Sequence, residues 1–193
     1  MKKIVYSFLL ISLLLIALAI IYLSTVGVET SKFNNIIINE VKKKDSNVQL
    51  SLNKIKIKFD LEKIQIYLST IKPNIDYQGI KIPITDINIY LKLSSILMSN
   101  NEINRLVLSL ENFNIKDIQK LAIRIKPSNF KTYLLNNLDN GKIKKILIDV
   151  NLDKDLNISD YKINGSVKKI DVKISDDLLI QNVNLNFISD KNL

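Results

Sequence analysis

Few side chains in this sequence could do chemistry. Two close pairs of carboxylates, Asp60 with Glu62 and Asp176 with Asp177, have the makings of a general acid–base couple or a divalent-cation site. Both pairs fall among turn-forming residues, where a carboxylate is expected to bond its own backbone instead. The chain has no histidine and no cysteine. That removes the commonest general base, the commonest nitrogen and sulfur metal ligands, and all thiolate chemistry. Only 4 glycines occur in 193 residues, and no P-loop, dinucleotide fingerprint or G-x-S-x-G elbow is among them. No catalytic residue, metal or cofactor is expected, so the chain is read as a non-enzyme.

Charge offers a second class of function. Lysine and arginine number 28 against 19 acidic residues, for a net charge of +9. The arginines are only Arg105 and Arg124, and the lysines are spread along the chain rather than clustered. Nucleic-acid surfaces favour arginine and stacking aromatics, and neither is concentrated here. The basic residues read as the wet faces of strands, and no nucleic-acid partner is expected.

Apolar residues dominate what remains, and their distribution sets the elements. Ile4–Leu23 is 20 residues without a charge, enough as a helix to cross a hydrocarbon core of roughly 30 Å. A cleaved signal peptide has a shorter apolar region and a small-residue cleavage site, and "YLSTVGVE" is a poor match. Residues 1–23 therefore read as an uncleaved signal anchor. Lys2 and Lys3 favour a cytoplasmic N-terminus, although Lys32 and Lys42–Lys44 on the far side weaken the bias. Residues 24–46 read as a juxtamembrane helix and linker, capped by Thr30 or Ser31, with Phe33, Ile36, Ile37 and Val41 at helical spacing.

From residue 47 the period changes from helical to two. In "NVQLSLNKIKIKFDLEKIQIYL" Val48, Leu50 and Leu52 alternate with polar residues, then Ile55, Ile57, Phe59 and Leu61, then Ile64, Ile66 and Leu68. The phase slips at Asn53–Lys54 and Glu62–Lys63 divide the block into two or three antiparallel strands. Ile87, Ile89, Leu91 and Leu93 continue the pattern after the "DYQG" turn, and Leu106, Leu108 and Leu110 follow a short helical stretch at "SSILMSN". A helical insertion at 116–140 carries two stripes: Ile118, Leu121, Ala122 and Ile125 behind an Asp117 cap, then Phe130, Leu134, Leu135 and Leu138 after Pro127, closed by a cap glycine at Gly141. Strands resume around Ile146–Leu152, Tyr161–Ile163, Ile170–Ile174 and Val183–Phe187 as a meander. The last of them runs nearly to Leu193 without a cap, an open edge expected of the N-terminal part of something longer.

The expected fold is mainly β with a few short helices (α+β): an N-terminal transmembrane helix, then an antiparallel sheet over 47–193. Two arrangements satisfy the alternation. A closed β-sandwich or jellyroll buries the apolar face against itself, whereas a curled sheet leaves an open groove lined by apolar side chains.

Three segments resemble the AsmA-like superfamily, in particular its YhdP-type branch. They are the anchor and short helix followed by "NVQLSLNKIKIKFDLEKIQIYL"; the strand, Leu-rich helix, strand unit at 84–115; and "IKPSNFKTYLLNNLDNGKIKKILIDVNLD" at 125–153. Tyr133 stands where the family often has tryptophan. The resemblance implies an inner-membrane-anchored periplasmic protein of Gram-negative bacteria, with a β-taco groove carrying phospholipid acyl chains between the inner and outer membranes. An outer-membrane or periplasmic protein partner is implied as well. The lipid-facing set would be Val48, Leu50, Leu52, Ile55, Ile57, Phe59, Leu61, Ile64, Ile66, Leu68, Ile87, Ile89, Leu91, Leu106, Leu108 and Leu110. An LptC-like component of a lipopolysaccharide bridge, or a membrane-tethered structural or assembly factor without a ligand, would show the same alternation.

Overall fold

The computed structural model describes residues 2–92, 102–124, 129–175 and 177–191. Strand makes up 52% of the chain, so the class is mainly β. Helix α1 (Lys2–Thr25) is long and apolar enough to cross a membrane, and its apolar window is not buried against the rest of the chain. Gly27, with φ +76°, ends it, and the Val26 and Gly27 amides donate to the Tyr22 carbonyl at 2.9 and 3.0 Å.

Thirteen further elements follow up to residue 152 among the described residues: β1 (Val28–Thr30), α2 (Asn34–Lys44), β2 (Val48–Ser51), β3 (Ile55–Asp60), β4 (Gln65–Ile71), β5 (Asn74–Tyr77), β6 (Ile80–Ile82), β7 (Ile84–Leu91), β8 (Ile103–Asn114), α3 (Ile115–Arg124), α4 (Asn129–Asn137), β9 (Leu138–Asp139) and β10 (Lys142–Leu152). Two long strands complete the chain, β11 (Ile158–Ser175) and β12 (Leu178–Asp190). Eight strands run antiparallel in the order β1-β3-β4-β7-β8-β10-β11-β12, and β9 adds to β11. The sheet does not close; β1 and β12 are its edges. A second sheet, β2-β5-β6, is separate from it.

Several local expectations change. Thr30 and Ser31 do not cap α2: Val28–Thr30 pairs with Ile57–Ile55 as an edge strand, and α2 begins after Phe33 without a side-chain cap. The helix turns Phe33, Ile37 and Ile38 into the core and leaves Ile36 exposed. Asn34 fastens it instead, donating to the Leu52 and Asn53 carbonyls at 3.1 and 2.6 Å. Gly141 is not a helix cap, because α4 ends at Asn137 and β9 intervenes. Its φ of +81° and close approach to Ile170, where a Cβ would lie 2.7 Å from the backbone, are what exclude a side chain there. Helix α3 starts at Ile115, so Asp117 lies inside its first turn rather than before it. Tyr161–Ile163 and Ile170–Ile174 belong to one 18-residue strand whose register slips are bulges. Leu93, the "SSILMSN" stretch, Ile125 and Pro127 lie outside the described residues.

The meander is also interrupted. After β4 the chain leaves the main sheet, makes the β5–β6 hairpin through Gln78 and Gly79, both at positive φ, and returns as β7. A two-residue loop with both residues left-handed suits the twist of a hairpin. This excursion lets β5 collect β2, so the first strand of the alternating block joins the second sheet while β3 and β4 join the first.

Candidate functional site

Cross-strand register gathers the apolar face into rows. One runs Ile57, Leu68, Ile89, Leu106, Val150, Tyr161; the next runs Ile55, Thr70, Ile87, Leu108, Ile148, Ile163. Phe59, Ile66, Leu91 and Ile103 form a third at the end of the sheet near the β3–β4 turn. The sequence alternation thus becomes one continuous apolar face, since side chains at i and i+2 share a side.

Cover over that face is uneven. Helix α2 and the small sheet lie against the first half: Leu52, Ile55, Leu68, Ile87, Ile89 and Leu91 are buried, with Phe33, Ile37, Leu50 and Ile75 packed on them. Ile55 has no exposure at all. Helix α3 and β9 lie against a second cluster, in which Leu110, Phe113, Ile115, Ile143, Val167 and Ile170 are buried with Ile118, Leu121 and Leu138 around them. Ile84 and Leu108 touch both clusters, so the two cores join along one seam. Gln119 secures the second cover by donating to the Leu134 and Leu138 carbonyls at 3.0 and 2.6 Å. Arg124 ties the two covers together through the Gln78 carbonyl.

A cleft of about 860 Å³ opens between these covers. Leu50, Ile75, Ile82, Ile84 and Phe113 contribute apolar surface to it, and Lys72, Lys81, Asp76 and Asp117 contribute charge. Two of the charges are already engaged. Asp76 accepts the Gly79 amide at 2.6 Å, and Asp117 accepts the Lys120 ammonium at 2.9 Å. The Lys120 ammonium holds the Asp117 carboxyl below the usual carboxylate range, with help from Asn114. Past the second cover the apolar face emerges again: Val183 and Phe187 are half-buried, while Ile180, Leu185 and Ile174 are exposed.

The sixteen residues expected to face lipid therefore divide. Leu52, Ile55, Leu68, Ile87, Ile89, Leu91 and Leu110 are packed into protein. Val48, Leu50, Ile57, Phe59, Ile66, Leu106 and Leu108 are half-buried, Val48 and Leu50 in the covering sheet rather than on the main one. Leu61 and Ile64 are not in a strand; they occupy the β3–β4 turn and are exposed. The turn is held by Asp60, whose Oδ1 accepts the Glu62 and Lys63 amides at 3.1 Å each. That is the backbone role anticipated for an acidic residue at such a position.

Sequence reasoning missed a cluster on the opposite face. Tyr67 and Tyr90 stack with ring centroids 5.0 Å apart, and the Arg105 guanidinium lies 5.0 Å from the Tyr90 centroid. Arg105 holds Asp149 with two hydrogen bonds, and the Tyr90 hydroxyl donates to Asp60 at 3.4 Å. Burial, then Asp60, pushes the Tyr90 phenol up to about 12. One of the two arginines at an outward strand position was the available signal. Every member of the cluster is engaged with another, so it reads as a cross-strand brace. Among the described residues, no group of three or more acidic side chains could hold a metal ion.

No family model, curated protein or solved structure matches this chain.

Proposed function

We propose that this chain is a membrane-anchored lipid-handling protein, with α1 in the inner membrane, the sheet in the periplasm, and acyl chains carried on the apolar face as in the AsmA-like proteins it resembles. The observation that carries the reading is the interrupted cover: an unclosed sheet with a cleft of about 860 Å³ over its apolar seam. Clefts of roughly 300–1,000 Å³ suit small ligands. An acyl chain on Ile82, Ile84 and Phe113 would be shielded from water, at about 0.8 kcal/mol for each CH₂. Lys72 and Lys81 beside it would suit a phosphate headgroup. No nucleophile or metal is required for such work. Transfer of phospholipid toward the outer membrane, with a periplasmic or outer-membrane protein receiving it, is the role this chemistry would serve.

The full burial of Ile55 favours a second reading, a membrane-tethered structural factor whose apolar face is fully satisfied by protein. Photo-crosslinking amino acids separate the two. Placed at Ile82 and Leu185 in the full chain in cells, they should give lipid adducts, and at Ile55 none. Adducts to protein alone at Ile82 and Leu185 would overturn lipid carriage in favour of the structural factor.

A further inference from the structure

At the β3–β4 turn the choice of residue runs against the backbone it must adopt. Ile64 has φ 52° and is 66% exposed, and Leu61 beside it is 58% exposed. A β-branched residue in the left-handed region is a true outlier, where asparagine or glycine would fit at much lower cost. Elsewhere among the described residues the non-glycine left-handed positions are Lys72, Gln78, Asn112, Asn140, Lys169 and Asn182, all polar, and Leu156. Position 64 thus accepts an unfavourable backbone and exposes a large apolar side chain together.

Where this turn lies supplies the reason. Val28 pairs with Ile57, and Gly27 is packed so closely against β3 that a Cβ there would lie 2.8 Å from the Ile57 carbonyl and the Lys58 side chain. The end of α1 is therefore fixed three residues from Leu61. If Leu23 marks the edge of the hydrocarbon core, Gly27 is about 6 Å beyond it at 1.5 Å per helical residue. That is within the headgroup layer, which is roughly 5–8 Å thick on each side of the bilayer. The turn is preformed, held by the two Asp60 hydrogen bonds, and Lys63 lies 5.3 Å from the Tyr90 ring centroid. Glu62 and Lys63 cancel in charge, so the partner need not be anionic.

We propose that the β3–β4 turn seats on the membrane that α1 enters, with Leu61 and Ile64 inserted at the boundary between headgroups and acyl chains. The proposal rests on the membrane-anchored reading of α1 and extends it: the sheet stands on the bilayer by one end instead of swinging on a tether. Phe59, Ile66, Leu91 and Ile103 form the first apolar row above that contact, so seating brings the apolar face directly to its source of lipid. Leu156 lies on the β10–β11 turn, about 19 Å across at four strand spacings. The proposal is confined to the turn beside the end of α1.

The chain has no native cysteine, so single cysteines can be labelled with an environment-sensitive fluorophore. The full chain in phosphatidylcholine vesicles would carry the label at Leu14, Ile64 or Asn53, the last exposed at the opposite end of β3 from the turn and outside the cleft. Doxyl-labelled phosphatidylcholine should quench positions 14 and 64, the latter roughly twofold as for a side chain at the acyl–headgroup boundary, and leave position 53 unchanged. Ile64→Asn, which suits the left-handed backbone and so spares the fold, should relieve the quenching of a label at Glu62. Quenching at 14 without quenching at 64 would overturn the seating while the anchor stands. Absence at both would overturn the anchor and the seating together. Protection at 64 that grows with protein-to-lipid ratio would mean a second copy covers the turn, and would also overturn it. Quenching at 64 alongside lipid-free crosslinks at Leu185 would uphold the seating and remove only lipid carriage.

Discussion

The first half of the sheet and its last strand have the same alternating pattern and opposite fates. Ile55 of β3 is wholly buried under α2 and the small sheet, whereas Ile180 and Leu185 of β12 are 44% and 37% exposed on the same sheet. Covering elements make the difference. The chain uses residues 34–51 and 74–82 for α2 and β2-β5-β6 over β3, β4, β7 and β8, and 115–139 for α3, α4 and β9 over the middle. On β12 only Val183 and Phe187 reach the second cluster, among the described residues, while Ile180 and Leu185 stay exposed. An alternating strand specifies a face that needs covering; it does not say with what, and a sheet can serve as core at one end and as exposed apolar surface at the other.

The largest expected effect breaks this comparison directly. Ile55→Ala should destabilise the fold by about 3–4 kcal/mol, the cost of a cavity in a packed core. Leu185→Ala should cost under about 1 kcal/mol, because its site can already reach solvent. Denaturant unfolding of both variants measures the contrast, and equal losses would mean that β12 is covered after all. A smaller effect is expected where the second cover meets β11. Gly141→Ala should cost about 2–3 kcal/mol, combining a left-handed backbone with a Cβ 2.7 Å from Ile170. Gly79→Ala has nothing within 4 Å of the added methyl, so only the roughly 1 kcal/mol backbone cost should remain. Thermal melts of the pair would separate close packing from turn conformation.

The smallest effect is confined to alkaline pH and probes the outer face. Tyr90 titrates near 12 in the folded chain and near 10 when unfolded, so the folded state keeps its proton longer. Stability from this source is complete below about pH 10 and falls as the pH rises from 10 to 12. Tyr90→Phe should flatten that decline, as followed by circular dichroism across the interval. An unchanged slope would mean that Tyr90 is not shielded by the brace with Asp60 and Arg105.

Much of the fold was legible in residue spacing. The uncharged run Ile4–Leu23, the phase slips at Asn53–Lys54 and Glu62–Lys63, and the helical stripe Ile118, Leu121, Ala122 all correspond to elements or their boundaries. Period and charge are local properties, set by which side of the backbone a side chain leaves. Local signals misled where partners compete. Thr30 could have capped a helix, yet pairing with Ile55 at the sheet edge bonds its backbone. Gly141 looked like a helix stop, yet β9 and the approach of Ile170 set its conformation. Leu61 and Ile64 match the strand alternation by spacing, but the Asp60 hydrogen bonds make them a turn.

By itself the sequence determined the type of the long elements, the two-faced character of the strands and the poverty of catalytic side chains, because these depend on residue identity and short-range periodicity alone. Tertiary structure decided which alternating strand became cover and which became floor. Val48 and Leu50 look forward to Ile55 and Ile57 in sequence, but pairing with Tyr77 and Ile75, 25 or more residues away, put them in another sheet. Strand pairing joins backbones through hydrogen bonds that every residue but proline offers. The choice among partners therefore lies in long-range packing, and that choice left Ile55 sealed and Leu185 open to solvent over about a third of its surface.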